Sequence, residues 1–264
     1  NIEVGRALEQ DVREGGAVPA TIAVLAGEPR IGLGDAEIEH VATAPDVLKL
    51  STRDLPVAVA RGRDGATTVA ATMWLASAAG IQVFATGGIG GVHRGSPLDA
   101  SADLAELART PMIVVCAGAK AILDLPATRE ALETAGVLVA GWRTDELPAF
   151  YSRESGLSVD VRVESAHEVA DIWRAKRRLG APGTLLLCVP PPAEAALPAD
   201  VIAVEIERAL EKAAGAGIRG KEVTPFLLAE VARITEGRSL ATNVALLRNN
   251  ARTAAAVAVA LARS

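Results

Sequence analysis

Aromatic residues are scarce in this chain of 264 residues: three Trp, three Phe and one Tyr, 3% of the whole. That scarcity argues against a stacking platform for single-stranded nucleic acid and against an aromatic-rich β-sandwich. A basic excess is also missing. The 27 Lys and Arg face 32 Asp and Glu, for a net charge of −5, and no basic block tracks a phosphate backbone, so no nucleic-acid partner is expected. Only two cysteines occur, Cys116 and Cys188, each inside an apolar run (PMIVVCAG and TLLLCVPPP). They exclude a disulfide framework or a Cys-based zinc site and predict two reduced, buried thiols. The apolar runs are broken by Gly, Pro or Thr before the roughly 18 residues a membrane span needs, and no signal peptide is visible. No membrane partner and a cytoplasmic location are therefore expected. What the chain has in quantity is aliphatic: half its residues are hydrophobic, the mean hydropathy is +0.28, and 24 Gly and 14 Pro supply turns. That composition excludes disorder and fits an α/β enzyme whose core is built from Ala, Val, Leu and Ile.

The pattern along the chain predicts an amphipathic helix over Ile2 to Glu14, ended by Gly15-Gly16. Strands are predicted at Ala20 to Leu25 and Arg30 to Leu33, and a helix at Ala36 to Ala42 capped by Asp35. Another helix opens at Ser51-Thr52-Arg53-Asp54 with Pro56, and Thr68 to Ala79, apolar all round, reads as a buried helix. Ile81 to Ala85, Met112 to Cys116, Val137 to Gly141 and Thr184 to Val189 are short apolar strands. Between them lie helices at Asp103 to Arg109, Ile122 to Gly136 and His167 to Gly180, and the C-terminal third is helical over Asp200 to Ala216, Thr224 to Thr235 and Ser239 to Arg263. Apolar strands alternating with helices predict a parallel or mixed sheet covered on both faces. No linker or repeat divides residues 1–264, so one domain is expected.

Ligands of open α/β sheets gather at the carboxyl ends of strands, which directs attention to two loops. The first, TGGIGGVHRG after IQVFA, has five glycines in ten residues with His93 and Arg94 beside them, a composition suited to an anion and equally to a structural turn. It is neither a dinucleotide fingerprint nor a Walker loop. The second, CAGAK, leaves Lys120 at the end of a strand of small and apolar residues. Partial desolvation there lowers a lysine's pKa, as a Schiff-base nucleophile requires, while the plainer alternative is a surface lysine opening the next helix. Between the loops, Asp99 and Asp103 flank Ser101. The pair suits a divalent metal or acid/base work, or Ser101 is simply a helix cap.

The strings FATGGIGGVHRG, DASADLAELARTPMIVVCAGAKAILDLPATREALETAGV, PAFYSRESGL and GIRGKEVTPFLLAEVARITEGRSLATNVALLRNNA resemble the pseudouridine-5′-phosphate glycosidases over nearly the whole chain. The resemblance implies an α/β/α layered fold, a homotrimer, a manganese ion (Mn2+), and reversible cleavage of pseudouridine 5′-phosphate to uracil and ribose 5-phosphate. A C-glycoside has no heteroatom leaving group to protonate, so a carboxylate pair of the ordinary kind does not suffice. An amine nucleophile supplies an electron sink as an iminium at C1′. By this resemblance Lys120 is the nucleophile and Asp99 the metal ligand. Lys49, Val69, Ser101, Ala102 and Asp103 match substrate contacts. His93, helped by loop amides, is expected at the phosphate, and Asn249 or Asn250 at the uracil or sugar unless the two are a polar pair at a helix terminus.

The chain departs from the family pattern in three places. A segment resembling E-S-T-I-I-x-H-G-M-P-x-P-x-N, whose glutamate assists ring opening, precedes in the family the helix that here begins at Asn1. No glutamate in this chain matches it, so no proton donor is assigned, and loss of one general acid costs ~10²–10⁴-fold in rate. The loop Ser96-Pro97-Leu98 is about two residues shorter than in the family pattern, and Val189 stands where the family has an Asn. The competing expectation is a ribose-phosphate-binding member of the family without turnover. A nucleotide-binding oxidoreductase fails, because no acidic ribose-binding residue follows the glycine loop by ~20 residues at a strand end.

Overall fold

A computed structural model describes residues 2–218 and 223–263. Asn1, Ser264 and residues 219–222, within the GIRGKEVT string, lie outside the described residues. The chain begins with helix α1 (Ile2–Glu14), followed by a small sheet of strands β1 (Ile22–Leu25), β2 (Glu28–Ile31), β3 (Leu48–Leu50) and β4 (Gly65–Thr67) in the order β2-β1-β4-β3. Strand β1 runs antiparallel to β2 and β4, and β3 runs parallel to β4. This sheet is a departure from the single sheet expected. Strands β3 and β4 read only LKL and GAT, too short for an alternating pattern to register. Helix α2 (Asp35–Thr43) has Gly34 as its cap, and Glu37 reaches back to the Gly34 amide at 2.9 Å, so Asp35 is the first helical residue and not the cap. Helix α3 is Leu55–Ala60, and α4 (Val69–Ala78), capped by the Thr68 hydroxyl, is the buried helix the apolar run predicts.

The main sheet is wholly parallel. Its strands β5 (Val83–Ala85), β8 (Ile113–Cys116), β9 (Leu138–Trp142), β10 (Val161–Val163) and β11 (Leu185–Cys188) lie in the order β10-β9-β11-β8-β5. A hairpin of β6 (Val92–His93) and β7 (Ser96–Ala100) stands apart, bulged between Val92 and His93. Strands β8 and β11 are buried at every residue because helices cover both faces. Val114, Cys116, Leu186 and Cys188 face a cluster containing Met73 of α4, Leu104 and Leu107 of α5 (Ala102–Arg109) and Leu132 of α6 (Leu125–Thr134). Ile113, Val115, Leu185 and Leu187 face the other way, onto Val169 and Trp173 of α7 (Ala166–Arg178) and Val257 of α10 (Arg238–Ala262). Each such aliphatic side chain removed from water contributes about 1.5–3 kcal/mol, which is why four-residue strands suffice.

Helices α8 (Ala199–Gly215) and α9 (Val223–Ile234) pack on each other, and α10 runs under β5 and β8 and against α1. That last contact is fixed by Asp11, 1% exposed, which accepts from Arg248 at 2.7 and 3.0 Å and from Arg252 at 3.0 Å. Both cysteines are free and buried, as expected. They pair in register at the ends of β8 and β11. Among the described residues no helix is long and apolar enough to cross a membrane.

Candidate active site

The two loops singled out in the sequence lie side by side. Pairing between β5 and β8 continues past the strands, with Thr86 N–H on Val115 O at 2.9 Å, Ala117 N–H on Gly87 O at 2.9 Å, Ile89 N–H on Gly118 O at 3.1 Å and Lys120 N–H on Ile89 O at 3.1 Å. Glycine is required here by the protein's own crowding. Gly118 has φ +83, and a Cβ on it would lie 2.1 Å from Pro148 O; one on Gly88 would lie 2.6 Å from the Phe150 ring. The amides of the glycine loop are partly used. Ile89 N–H donates to Gly118 O, Gly90 N–H to Asp103 Oδ2 at 2.8 Å, and Val92 N–H to Thr128 Oγ1 at 2.9 Å. These three amides are engaged within the protein, whereas the Gly87, Gly88 and Gly91 amides make no such bond among the described residues and remain for the expected role beside His93.

Lys120 emerges half-buried from the end of this extended pairing. Burial lowers the pKa of its ammonium below the usual lysine value. The Asp103 carboxylate opposes that shift, and the positive charge of Lys49 reinforces it. Asp103 is 4% exposed and accepts from two backbone amides, Ala70 at 2.9 Å and Gly90 at 2.8 Å. It joins three elements: the start of α4, the glycine loop and α5. Ser101 caps α5, accepting from Asp103 N–H at 3.2 Å, and Ala102 is the first, exposed residue of that helix. Val69 opens α4, next to the amide held by Asp103. Lys49, exposed, lies on β3 opposite Ala66, and Leu50 O receives Thr68 N–H at 2.8 Å, which ties β3 to the same helix start. Lys49, Val69, Ser101, Ala102, Asp103 and Lys120 are thus assembled around Gly90.

Other expected residues sit differently. His93 is half-buried on β6, and its side chain makes no hydrogen bond or ion pair among the described residues, which leaves its ring available. Arg94 braces the segment after Lys120, donating to Ala121 O at 3.2 Å and Leu123 O at 3.1 Å and pairing with Glu207. Asn249 donates to Pro190 O at 3.2 Å. Asn250 is fully buried and donates to Thr86 O at 2.8 Å, with its Oδ1 unpartnered. Both asparagine amides bolt α10 to the segments that follow strands, and both lie in the middle of that helix, not at its end. Asn243, two helical turns earlier, was not singled out. Its Oδ1 lies 3.6 Å from where a Cβ on Gly87 would be, and it makes no hydrogen bond among the described residues. Phe150 was also missed. Its φ of 63 is unusual for a bulky residue, and its N–H donates to Ala117 O at 3.1 Å. Val189 packs in the core with Ile113 and Trp173, and its N–H continues the β11–β8 pairing to Cys116 O at 2.7 Å, so its side chain faces away from these loops.

The model of the indigoidine synthase A like protein family matches residues 1–260. The chain belongs to that family. A relative from Herpetosiphon aurantiacus named pseudouridine-5′-phosphate glycosidase is 60% identical over 266 residues, covering 100% of this chain and 88% of its own length. One of the same name from Caldanaerobacter subterraneus subsp. tengcongensis is 56% identical over 263 residues, 99% and 86% of the two chains. Among solved structures, the prealnumycin C-glycosynthase AlnA in complex with ribulose 5-phosphate superposes with a TM-score of 0.92 at 42% identity, covering 99% of this chain and 87% of its own. An indigoidine synthase A-like protein from Thermotoga maritima gives 0.93 at 40% identity with the same coverage. These relatives share the mixed α/β fold with its five-stranded parallel sheet.

The expected manganese ion would need oxygen donors brought together near Asp99. Asp99 is exposed on β7, whereas Asp103 is buried with both oxygens on backbone amides, so the two carboxylates do not converge. Among the described residues no group of three His, Cys, Asp or Glu could hold a metal. A hard cation held by one carboxylate completes its shell with water and substrate oxygens, so among the described residues Asp99 is the carboxylate left to carry it.

Proposed function

We propose that the chain is a C-glycosidase that reversibly cleaves pseudouridine 5′-phosphate to uracil and ribose 5-phosphate, with Lys120 as the nucleophile. The observation that carries this is a half-buried lysine at the carboxyl end of a central strand, its pKa lowered by burial, set against a buried carboxylate. The names of the family relatives support the substrate, and the sugar phosphate held by the C-glycosynthase supports a phosphorylated five-carbon ligand.

The neutral Lys120 amine attacks C1′ and displaces O4′, which takes a proton as the ribose ring opens. The nitrogen loses its proton and becomes a secondary amine on C1′. Uracil C5 is then protonated, and the nitrogen lone pair forms the C1′=N bond as the C1′–C5 electron pair returns to the uracil ring. Water adds to the iminium, and collapse of the carbinolamine frees Lys120 and the aldehyde of ribose 5-phosphate. Asp103 serves two stages. Its charge limits how far the lysine pKa falls, and it stabilises the iminium cation that replaces the ammonium. The exposed Lys49 ammonium and the unpaired His93 ring are the side chains offered to the phosphate, with Val69, Ser101 and Ala102 lining the sugar. Asn243 is offered to the uracil in place of Asn249 and Asn250. No residue of this chain is assigned as the donor to O4′.

Asp99 would hold Mn2+ together with water and substrate oxygens, where the ion would supply positive charge, and no step above runs through it; chelation followed by Mn2+ readdition measures any dependence. A homotrimer and a cytoplasmic location belong to the same proposal, and sedimentation checks the first. The deciding experiment is borohydride reduction with ribose 5-phosphate followed by peptide mass spectrometry. The expected adduct is on Lys120 and is absent in Lys120→Ala. An adduct elsewhere, or none, refutes the proposal. If ribose 5-phosphate raises Tm while no uracil is released from pseudouridine 5′-phosphate, the chain binds the sugar phosphate without turnover.

A further inference from the structure

At the amino end of β5, the opposite end of that strand from the glycine loop, lies a cavity of about 700 Å³. Its apolar wall includes Val83, Leu261 and Trp173, contributed by the sheet edge, α10 and α7. Its cationic rim is three arginines of α7: Arg174, which pairs with Asp171 and donates to Ala260 O at 2.9 Å, and Arg177 and Arg178 in the last turn. Arg177 lies over the Trp173 ring, 5.8 Å from the centroid, so the guanidinium is held against the wall. Neither Arg177 nor Arg178 forms a hydrogen bond or ion pair with a carboxylate among the described residues, and no Asp or Glu lines the cavity. Gln82 completes the set. Its Oε1 accepts from Trp173 Nε1 at 3.2 Å, which fixes the amide and leaves Nε2 as a donor. Basic residues in a last helical turn complement the helix dipole, and that accounts for a basic turn but not for an apolar hollow beneath it.

We propose that this hollow is a second ligand site, for a small organic anion: a carboxylate or phosphate carried on an apolar body. Guanidinium groups match the two oxygens of either anion, and the wall supplies the hydrophobic contact. The volume falls within the roughly 300–1,000 Å³ of small-molecule pockets. The site is separate from Lys120, Asp103 and Lys49, so its occupancy does not depend on the proposed reaction.

The test is isothermal titration of the whole chain with 1-naphthyl phosphate, 1-naphthoate and neutral 1-naphthol, each in saturating ribose 5-phosphate so that the Lys120 site is filled. At least one anion is expected to bind once per chain, with quenching of Trp fluorescence that is lost in Trp173→Phe. Binding should weaken by about tenfold or more in Arg177→Glu/Arg178→Glu, as loss of charge-assisted hydrogen bonds implies, and persist in Lys120→Ala. Tighter binding of the phosphate or of the carboxylate identifies which anion the site takes. The proposal is overturned if neither anion binds, if naphthol binds as well as the anions, or if the double arginine variant binds unchanged. It is also overturned if that variant changes the number of subunits in sedimentation, since the hollow would then be an interface between copies of the chain.

Discussion

Replacing Asp103 by Asn separates the two tasks assigned to that carboxylate. In the wild type its two oxygens accept from Ala70 and Gly90 amides at 2.9 and 2.8 Å, in a position only 4% exposed. Asparagine keeps one acceptor. The other position becomes an NH2 group facing an N–H, so one hydrogen bond is lost and buried donors are left unpaired, at a cost of about 1–3 kcal/mol. For a chain of this size each kcal/mol moves Tm by about 2–4 °C, so Tm should fall by about 2–12 °C. The electrostatic effect is separate and has a definite sign. A carboxylate favours the nearby ammonium, so its removal lowers the Lys120 pKa further. More of the lysine is then neutral at a given pH, and the rising limb of adduct formation shifts to lower pH. The plateau falls as well, because the iminium has lost its counter-charge. Rapid-quench borohydride trapping across a pH series, with parallel melting curves, reads both effects. A limb that stays put or moves to higher pH refutes the coupling of Asp103 to Lys120. A fall in Tm alone reduces Asp103 to a structural clamp.

Lys120→Met should abolish adduct formation without destabilising the fold. The folded chain lowers the lysine pKa, so wild-type stability rises with pH between that lowered value and the ordinary 10.5; the variant should lack this rise in urea titrations at several pH values, and an identical rise in both proteins contradicts the burial argument. Gly90→Ala puts a Cβ 2.2 Å from Ser101 Oγ and 2.8 Å from Asp103 Oδ2; a loss of about 1–3 kcal/mol is expected from such overpacking, with turnover falling alongside, and a variant as stable and active as wild type shows that the loop has room. Asp11→Ala removes the carboxylate that holds α1 to Arg248 and Arg252, which are partly exposed, so a loss of about 1–3 kcal/mol is expected near neutral pH. The folded pKa of Asp11 lies below its ordinary 3.8, held down chiefly by Arg248, so its contribution is present above 3.8 and lost as pH falls through the folded value. The gap between variant and wild type should close in acid, and a gap independent of pH excludes the ion pair as its cause.

Periodicity made four of the five main-sheet strands legible because they are short, apolar and bounded by Gly, Pro and polar residues; β10 was missed, since VRV is three residues long with an arginine at its centre. Val69–Ala78 was readable as a buried helix from its uniform apolarity and Thr68 cap, and Ser101 from the start of SADLAEL. Boundaries slipped where turn chemistry decided them. The predicted helix from Ile122 begins at Leu125 because Asp124 caps it, with Ala127 N–H on Asp124 Oδ1 at 2.9 Å. The small sheet was illegible as a sheet, since β3 and β4 are three residues each and find their partners only through a fold that brings distant segments together. For the same reason Lys49 entered through family resemblance and not through its local pattern. Its relation to Lys120 arises from the packing of the two sheets on α4.

The glycine loop shows most clearly where residue composition stops being informative. TGGIGG has the makeup of an anion cradle, and composition alone cannot distinguish a backbone bared for a ligand from one bared for the protein's own atoms. The distances distinguish them: hypothetical Cβ atoms on Gly88, Gly90 and Gly91 would meet Phe150 at 2.6 Å, Ser101 at 2.2 Å and Thr128 at 2.3 Å. These glycines let a side chain from another element reach the loop, and in doing so they fix the position of Ile89, whose carbonyl holds the Lys120 amide. Through Ile89 the loop sets where the lysine stands, and under the proposed function recognition of the phosphate falls to Lys49 and His93 with those loop amides that the protein leaves unused.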